Sequence, residues 1–478
     1  MKKTNTQVTA KLAQYRLVIF GLGREGLSTY TFLRKYLPQE KLILIDDRSP
    51  LDLSKEWDAA KDDSLASFTS PEEYQHQLTD RHLLFVTPGI PPKHLLLKKA
   101  AAVGAKLHSN TQLFFDCVAT YNQTANTKVV TIAVTGTKGK STTSTAIAHV
   151  LKTAGLAVQL GGNIGVPALD MPFDELQQRP QHFVLELSAH QLVNTTINPT
   201  MAVLLNITPE HLDYYPSFAD YQTAKARITA YQTTSQHLFF NPEYEGISRI
   251  AKQSAAQKIT FGGQTKAYPQ PHAYISEKQI FNGDSSLISL DELQITGQHM
   301  VENLLPAVCI ADTLGISADH IRAGLQSFKP LQHRLEIVHE TIDGITFVDD
   351  SLATTPEAAI AAIKSFEDVP IILLAGGHER EQDFSELAKV IVSSTISHVL
   401  LFPATGERLA DEIRTHARKQ SLPKLEKVTS MENAVAQAHH YAQSNTVVLL
   451  SPAAASFGVF KDYADRSAQF IQAARTFT

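Results

Sequence analysis

The stretch Val129-Val130-Thr131-Ile132-Ala133-Val134-Thr135-Gly136-Thr137-Lys138-Gly139-Lys140-Ser141-Thr142-Thr143 decides how this chain is read. Its β-branched first half reads as a buried strand, Gly136 and Gly139 permit a tight turn, and Lys140-Ser141-Thr142 opens a helix. A strand that turns through glycines into a helix aims free backbone N–H groups at an anion, so the stretch reads as a phosphate cradle. Gly136, Thr137, Lys138, Gly139 and Thr142 would then line the phosphates of ATP, Lys140 would reach the β/γ-phosphates, and the Ser141 hydroxyl would hold Mg²⁺. The usual spacing asks for a glycine where this chain has Val134, so the loop is a shortened variant. A glycine turn of purely structural use is the plain alternative.

Bulk properties narrow the setting. A length of 478 residues corresponds to about three domains. With 43% apolar and 19% charged residues and a net charge of −5, the chain reads as a globular protein with small-molecule ligands, not a nucleic-acid binder. Cys117 and Cys309 are the only cysteines, which excludes a disulfide framework and a cysteine metal cluster. The basic start Met1-Lys2-Lys3 runs into polar residues, and no run of about 18 apolar residues occurs. The expectation is a cytoplasmic protein with no membrane insertion.

Strand-like runs alternate with helical patterns almost throughout: Arg16–Phe20, Lys41–Ile45, His82–Val86, Met201–Leu205, Pro370–Leu374 and Thr446–Leu450. Such alternation implies an α/β fold with parallel sheets and crossover helices. His108-Ser109-Asn110-Thr111-Gln112 reads as a link, and a helical pattern ends at Pro330, giving expected domains at 1–108, 109–330 and 331–478. The first carries Gly21-Leu22-Gly23-Arg24-Glu25-Gly26 directly after a strand, with Asp46 and Asp47 at the end of the next. That fits a dinucleotide fingerprint, although the same geometry holds a UDP-sugar equally well. Glu25 is awkward there, since a carboxylate suits a helix N-terminus but repels a pyrophosphate.

In the central part, Phe183-Val184-Leu185-Glu186 reads as a strand delivering Glu186 to its C-terminal end, a second Mg²⁺ ligand opposite Ser141. Next come Asn206-Ile207-Thr208-Pro209-Glu210-His211-Leu212-Asp213 and a helical Tyr221-Gln222-Thr223-Ala224-Lys225-Ala226-Arg227-Ile228. By residue type alone, His211 is a packed loop histidine or a ligand, and Lys225 is a solvated surface lysine.

Taken together, the phosphate loop, the Asn206–Asp213 and Tyr221–Ile228 pair and Gly162-Asn163-Ile164-Gly165-Val166-Pro167 resemble the Mur ligase family and its folylpolyglutamate synthetase relatives. Weaker matches extend over nearly the whole chain: Gly297-Gln298-His299-Met300-Val301-Glu302-Asn303, Gln332-His333-Arg334, Asp349-Asp350-Ser351-Leu352-Ala353-Thr354, and Ser451-Pro452-Ala453-Ala454-Ala455-Ser456-Phe457. The resemblance implies a Rossmann-like N-terminal domain, a central P-loop ATPase domain and a C-terminal Rossmann-like domain. It also implies an ATP-dependent amide ligase that adds glutamate to UDP-N-acetylmuramoyl-L-alanine in peptidoglycan precursor synthesis. Two Mg²⁺ ions would be held by Ser141, Glu186, His211 and a carbamylated Lys225, with Lys140, Glu186, His211 and Lys225 as the catalytic set.

By the same resemblance, Asn303 touches adenine, Arg334 reaches the nucleotide and Asp350 holds the ATP ribose. Gly21, Gly23, Arg24, Glu25, Gly26, Asp46, Asp47, Arg48, Thr87 and Asn163 face the UDP substrate. Thr354, Arg380, Ser456, Phe457 and Tyr463 face the amino acid. The chain departs from the family's D-glutamate pattern where lysines are replaced by Leu352 and by His378-Glu379-Arg380. Asp350-Ser351-Leu352-Ala353-Thr354-Thr355-Pro356 and Gly23-Arg24-Glu25-Gly26 both resemble a branch that adds L-glutamate; D-glutamate is the expected substrate and L-glutamate the alternative. A monomer is expected. A folylpolyglutamate synthetase-like ligase and a nicotinamide oxidoreductase or nucleotide-binding regulatory protein are the rivals, the former disfavoured by about 130 residues preceding the loop.

Overall fold

The computed structural model describes the chain apart from residues 1, 51, 52, 54, 125–127, 172–180, 211–213, 296, 297, 330–332, 367, 368, 380, 381, 418–421 and 478. It divides into two compact units, 1–328 and 329–478. The first unit holds two parallel sheets. One consists of β1 (Arg16–Phe20), β2 (Leu42–Ile45), β3 (Ala66–Thr69), β4 (His82–Val86) and β5 (Lys106–His108), in the order 3-2-1-4-5. Phe20 lies in register with Ile45 on one side and Val86 on the other, so β1, β2 and β4 end level. Gly21, Asp46 and Thr87 therefore follow side by side, at the point where strand order reverses and ligands bind in open α/β sheets.

The second sheet contains β6 (Val130–Thr135), β7 (Ala157–Gly162), β8 (Gln181–Glu186), β9 (Met201–Leu204), β10 (His237–Phe240) and β11 (Gln257–Thr260), in the order 11-10-9-6-8-7. The inner strands β6, β8, β9 and β10 run largely apolar because both faces are covered, whereas the edge strand β11, Gln-Lys-Ile-Thr, is half polar. Ile132 and Val134 pack with Ile147, Val150 and Leu151 of the helix Lys140–Thr153 on one face. Ala133 faces the other way, with Phe183, Leu185, Tyr221 and Ile228. That second cluster is continuous with Leu17, Ile19, Phe85 and Phe114, so a single core runs between the two sheets.

A three-stranded antiparallel sheet, β12 (Ala273–Ser276), β13 (Gln279–Asn282) and β14 (Ser285–Ser289), follows. The second unit is one six-stranded sheet of β15 (Glu336–Glu340), β16 (Thr346–Asp349), β17 (Ile371–Gly376), β18 (Ile396–Phe402), β19 (Lys424–Lys427) and β20 (Val447–Leu450). Its order is 15-16-20-17-18-19, with only the β15–β16 pair antiparallel.

The expected strands lie within two residues of the observed ones at each end. The supposed link at 108–112 differs: a helix starts at Asn110 and runs to Thr124. Its buried Leu113, Phe114, Cys117 and Val118 face the core, while the polar residues that suggest a link precede them, and Asn110 and Thr111 form the buried first turn. Asn110 anchors its first turn, donating from Nδ2 to Ser28 Oγ at 3.0 Å and Thr29 Oγ1 at 3.2 Å.

Candidate active site

The phosphate loop spans the turn between β6 and the helix Lys140–Thr153. Gly139 caps that helix at φ +82°, a left-handed conformation that glycine adopts without strain. A Cβ on Gly139 would lie 2.2 Å from Asn303 Oδ1, so the Asn303 side chain sits directly on the loop. Lys140 folds back over the turn, its Nζ donating to the Thr137 carbonyl at 2.8 Å. Ser141 Oγ donates to Glu186 Oε2 at 2.7 Å, and Asn163 Nδ2 donates to Glu186 Oε1 at 2.9 Å. These meetings follow from register: Val134 pairs with Glu186, and Glu186 with Gly162 across β7. A hydroxyl and a buried carboxylate at a helix N-terminus form a hard oxygen donor set of the kind Mg²⁺ takes.

Lys225 lies on the helix Phe218–Ala230, yet it is 1% exposed. Its Nζ donates to the Gly136 carbonyl at 2.6 Å and lies 4.7 Å from the Tyr221 ring centre, one helical turn away. The surface reading of its residue type is thus corrected: the helix packs this face onto β6 and β9. Burial, followed by the nearby Lys140 charge, pulls the ammonium down to about 7, while Glu210 and Glu186 oppose the shift. Tyr221 OH donates to Glu210 Oε2 at 3.1 Å and stands 3.2 Å from Thr137 Oγ1. Tyr221 and Glu210 were not among the expected site residues; the four-residue step from Tyr221 to Lys225 is the signal that points to the tyrosine. His211 lies outside the described residues.

The first sheet opens onto a cleft of about 420 Å³ lined by Gly21, Gly23, Arg24, Glu25, Asp46, Arg48, Thr87 and, from the second sheet, Asn163. Asp46 accepts from Leu22 N at 2.6 Å and from Arg48 Nε at 2.8 Å. Burial works against its charge, but these donors outweigh it and hold the carboxyl below its usual value. Gly26 is not a lining residue; a Cβ there would fall 2.3 Å from the Gly21 carbonyl, so it serves close packing of helix on strand. Asp47 is exposed and is not among the residues that line the cleft.

In the second unit, Asp349 pairs with Leu450, which sets the loops after β16 and β20 beside each other. Asp350 is buried, accepts from Ser451 Oγ at 2.9 Å, and lies 4.0 Å from Arg334 Nε. Burial raises its carboxyl to about 6 against the pull of Arg334, Ser451 and the Leu335 N–H. Ser456 is buried and Thr354 half-buried, whereas Phe457 and Tyr463 stand about half exposed at 50% and 46%. Arg466, absent from the expected set, is fully buried and ties Ser351 O and Ala454 O at 2.8 and 3.1 Å, joining those loops. Arg380 lies outside the described residues.

Residues 134–311 match the Mur ligase middle domain and residues 333–454 the Mur ligase glutamate ligase domain. Among curated relatives, the UDP-N-acetylmuramoylalanine–D-glutamate ligase of Exiguobacterium sibiricum is 31% identical, covering 97% of each chain. The UDP-N-acetylmuramoyl-L-alanine–L-glutamate ligase of Xanthomonas axonopodis pv. citri is 30% identical over 96% of this chain and 94% of its own. The fold is shared with the MurF ligase from Thermotoga maritima solved in complex with ADP, at a TM-score of 0.54 and 16% identity over 97% of this chain and 98% of that one.

Proposed function

The chain belongs to the Mur ligase family, and on that premise we propose that it couples ATP hydrolysis to amide formation between UDP-N-acetylmuramoyl-L-alanine and glutamate. The observation that carries this reading is the convergence of Lys140, Ser141, Glu186 and the buried Lys225 on one glycine loop. Ser141 and Glu186 would hold Mg²⁺, which when bound neutralises charge on the transferring phosphoryl group. Gly136 to Thr142 cradle the phosphates through backbone N–H groups, and Lys140 supplies the fixed cation that charge developing in transfer requires.

The terminal carboxylate of the muramoyl-alanine attacks the γ-phosphorus; the bond to the β-γ bridging oxygen breaks, leaving an acyl phosphate and ADP. The glutamate amine then attacks the acyl carbon, loses its proton, and expels phosphate as the amide forms. His211 joins the metal set in this reading, as does Lys225 in carbamylated form. CO₂ adds only to a neutral amine, and a lysine drawn down to about 7 supplies that form near neutrality. Lys225→Ala should be inactive and partly restored by a small added carboxylate, and mass spectrometry should find the carbamate in active enzyme under bicarbonate. Full turnover with a free amine under those conditions would remove the carbamate from the mechanism.

The first sheet's domain, residues 1–108, takes the UDP substrate; 109–330 carries the phosphate loop and 331–478 receives the amino acid. Asn303, Arg334 and Asp350 hold the nucleotide, and Thr354, Arg380, Ser456, Phe457 and Tyr463 the amino acid. Among the described residues no helix is long and apolar enough to cross a membrane, and the reaction is assigned to the cytoplasm, with the protein a monomer. D-Glutamate is the proposed substrate. The relative named for L-glutamate, together with Leu352 in place of a lysine, supports L-glutamate as the second reading.

The deciding experiment is ADP release with UDP-N-acetylmuramoyl-L-alanine and D-glutamate, L-glutamate, lysine or aspartate. Turnover with D-glutamate is expected; a tenfold or larger preference for L-glutamate in kcat/KM reverses the stereochemistry, and no ADP release with any of the four overturns the ligase. Arg380→Ala should raise the glutamate KM by about tenfold or more with little change in the ATP KM, since it removes a charge-assisted contact to one substrate.

A further inference from the structure

In the second unit, His333 stands at φ +64° and Leu335 at φ +47°, one on each side of Arg334. That left-handed region is costly for residues with a Cβ, and it persists only where neighbours over-determine it. Here they do. His333 N donates to Glu336 Oε2 at 2.8 Å, the His333 carbonyl accepts from Leu352 N at 3.1 Å, and Leu335 N donates to Asp350 Oδ1 at 3.3 Å. The His333 ring is held as well: Nδ1 lies 2.9 Å from Asp349 Oδ2 and 2.5 Å from Ser467 Oγ, and Ser467 also donates to Asp349 Oδ2.

Asp349 and Ser467 are fully buried, the first at the end of β16 and the second in the helix Tyr463–Ala474. A carboxylate only accepts, so the proton between His333 and Asp349 rides on Nδ1, shared with Ser467 Oγ, while the serine gives its own hydrogen to Asp349. Both oxygens of Asp349 are in use, since Oδ1 accepts from Ser351 N at 3.0 Å. One helical turn before Ser467, the Tyr463 ring stands edge-on to His333 at 6.1 Å between ring centres. The residue that all this order presents is Arg334, whose side chain is partly exposed and places Nε 4.0 Å from Asp350 Oδ1.

We propose that Asp349 and Ser467 are positioning residues: by locking the His333 ring they hold the strained turn that sets Arg334 against Asp350, the carboxylate that takes the ATP ribose; this rests on the roles given to Arg334 and Asp350 above. Being buried, neither touches the nucleotide itself. A relaxed turn would leave Arg334 free to sample many directions, and nucleotide binding would then have to order it; a turn fixed from both sides meets that requirement on folding. Asp350, held between Arg334, Ser451 Oγ and Leu335 N, then offers the ribose hydroxyls an acceptor of set direction.

The test is steady-state kinetics of the full chain with ATP and with dideoxy-ATP, which lacks both ribose hydroxyls that Asp350 would take. The wild type should favour ATP in kcat/KM by roughly tenfold or more, as hydrogen bonds to a charged group do. Ser467→Ala should raise the ATP KM roughly fivefold and leave the dideoxy-ATP KM near its own value, so that the preference shrinks to about twofold. Asp349→Asn should do at least as much, because an amide has one acceptor oxygen where both carboxylate oxygens are in use. Adding Ser467→Ala to Arg334→Ala should cause no further loss, since the serine acts through the arginine. A merely structural role would weaken both nucleotides by the same factor and add to the Arg334→Ala loss, and either result would overturn the proposal. Preference for ATP left intact in both Ser467→Ala and Asp349→Asn would overturn it alone; a wild type that uses dideoxy-ATP as well as ATP would remove the ribose role of Asp350 together with it, with the ligase still standing.

Discussion

Two glycine turns in the first unit use one backbone device for opposite electrostatic ends. β1 runs through Gly21-Leu22-Gly23 into the helix Arg24–Tyr36, and β6 runs through Gly136-Thr137-Lys138-Gly139 into the helix Lys140–Thr153. At the second turn side chains close over the loop from three places: Lys140 on Thr137, Lys225 on Gly136, Asn303 on Gly139. The first turn faces an open cleft of about 420 Å³, and the acid in its helix's first turn is Glu25. Backbone geometry explains why each turn suits phosphate. On the function proposed above, side-chain charge would separate a phosphate that reacts from one that is only held: charge that builds up during transfer needs cations already in place, whereas a bound diester needs pairing and no more.

The sharpest way to break that contrast is to remove one cation from each turn. Lys140→Ala should lower kcat by about three orders of magnitude with an unchanged thermal midpoint, because it deletes stabilisation of the transferring phosphoryl group. Arg24→Ala should weaken binding of the UDP substrate by less than about tenfold and spare kcat, since its contact is one exposed hydrogen bond to Gly165 O. Steady-state kinetics with each substrate varied separates the two. An Arg24→Ala enzyme as slow as Lys140→Ala would erase the distinction between holding and reacting.

A smaller effect is expected from the glycines themselves. Gly139→Ala combines φ +82° with a Cβ 2.2 Å from Asn303 Oδ1, so the asparagine must swing away. The expected result is a loss of ATP affinity of about 1–3 kcal/mol, read by nucleotide titration. Gly26→Ala meets a backbone carbonyl, Gly21 O, at 2.3 Å, which cannot swing aside. It should lower overall stability by a similar amount and carry UDP-substrate binding down with it, visible in the midpoint of denaturant unfolding. A Gly26→Ala protein of normal stability would mean that this turn is slacker than its packing shows.

Much of this was legible in the sequence because parallel strands buried on both faces leave long apolar, β-branched runs. Val129–Val134 and Lys41–Ile45 locate β6 and β2 to within a residue. The antiparallel β12–β14 sheet left no such mark: its strands are four or five residues long and flank only two or three apolar residues with Ser, Asn and Gln. Glycine loops and the Glu186 strand end announce themselves locally, and register then brings Glu186 to Ser141 without further information. The Gln191 to Glu25 bond joins residues 166 apart through two different sheets, and neither residue type signals the other. The burial of Lys225 was equally hidden, since a lysine on a helix reads as surface until the neighbouring strands are placed.

The smallest effect concerns stability, and in it the two turns should differ in sign with pH. Lys225 is pulled from 10.5 to about 7, so between those values the folded protein holds fewer protons than the unfolded chain and stability rises with pH. Glu25 is lifted from 4.5 to about 7, so between those values the folded protein holds more protons and stability falls as pH rises. Lys225→Met should therefore stabilise most at pH 6, with the gain shrinking towards pH 10, and Glu25→Gln should stabilise most at pH 8, with the gain vanishing towards pH 4.5. One pKa unit corresponds to about 1.4 kcal/mol at most, and relaxation with water entry reduces it, so gains of about 1–2 kcal/mol are expected. Denaturant unfolding in CO₂-free buffer across that range measures both, the exclusion of CO₂ keeping Lys225 a plain amine. Parallel pH trends in the two variants would show that the two turns do not carry opposite buried charges after all.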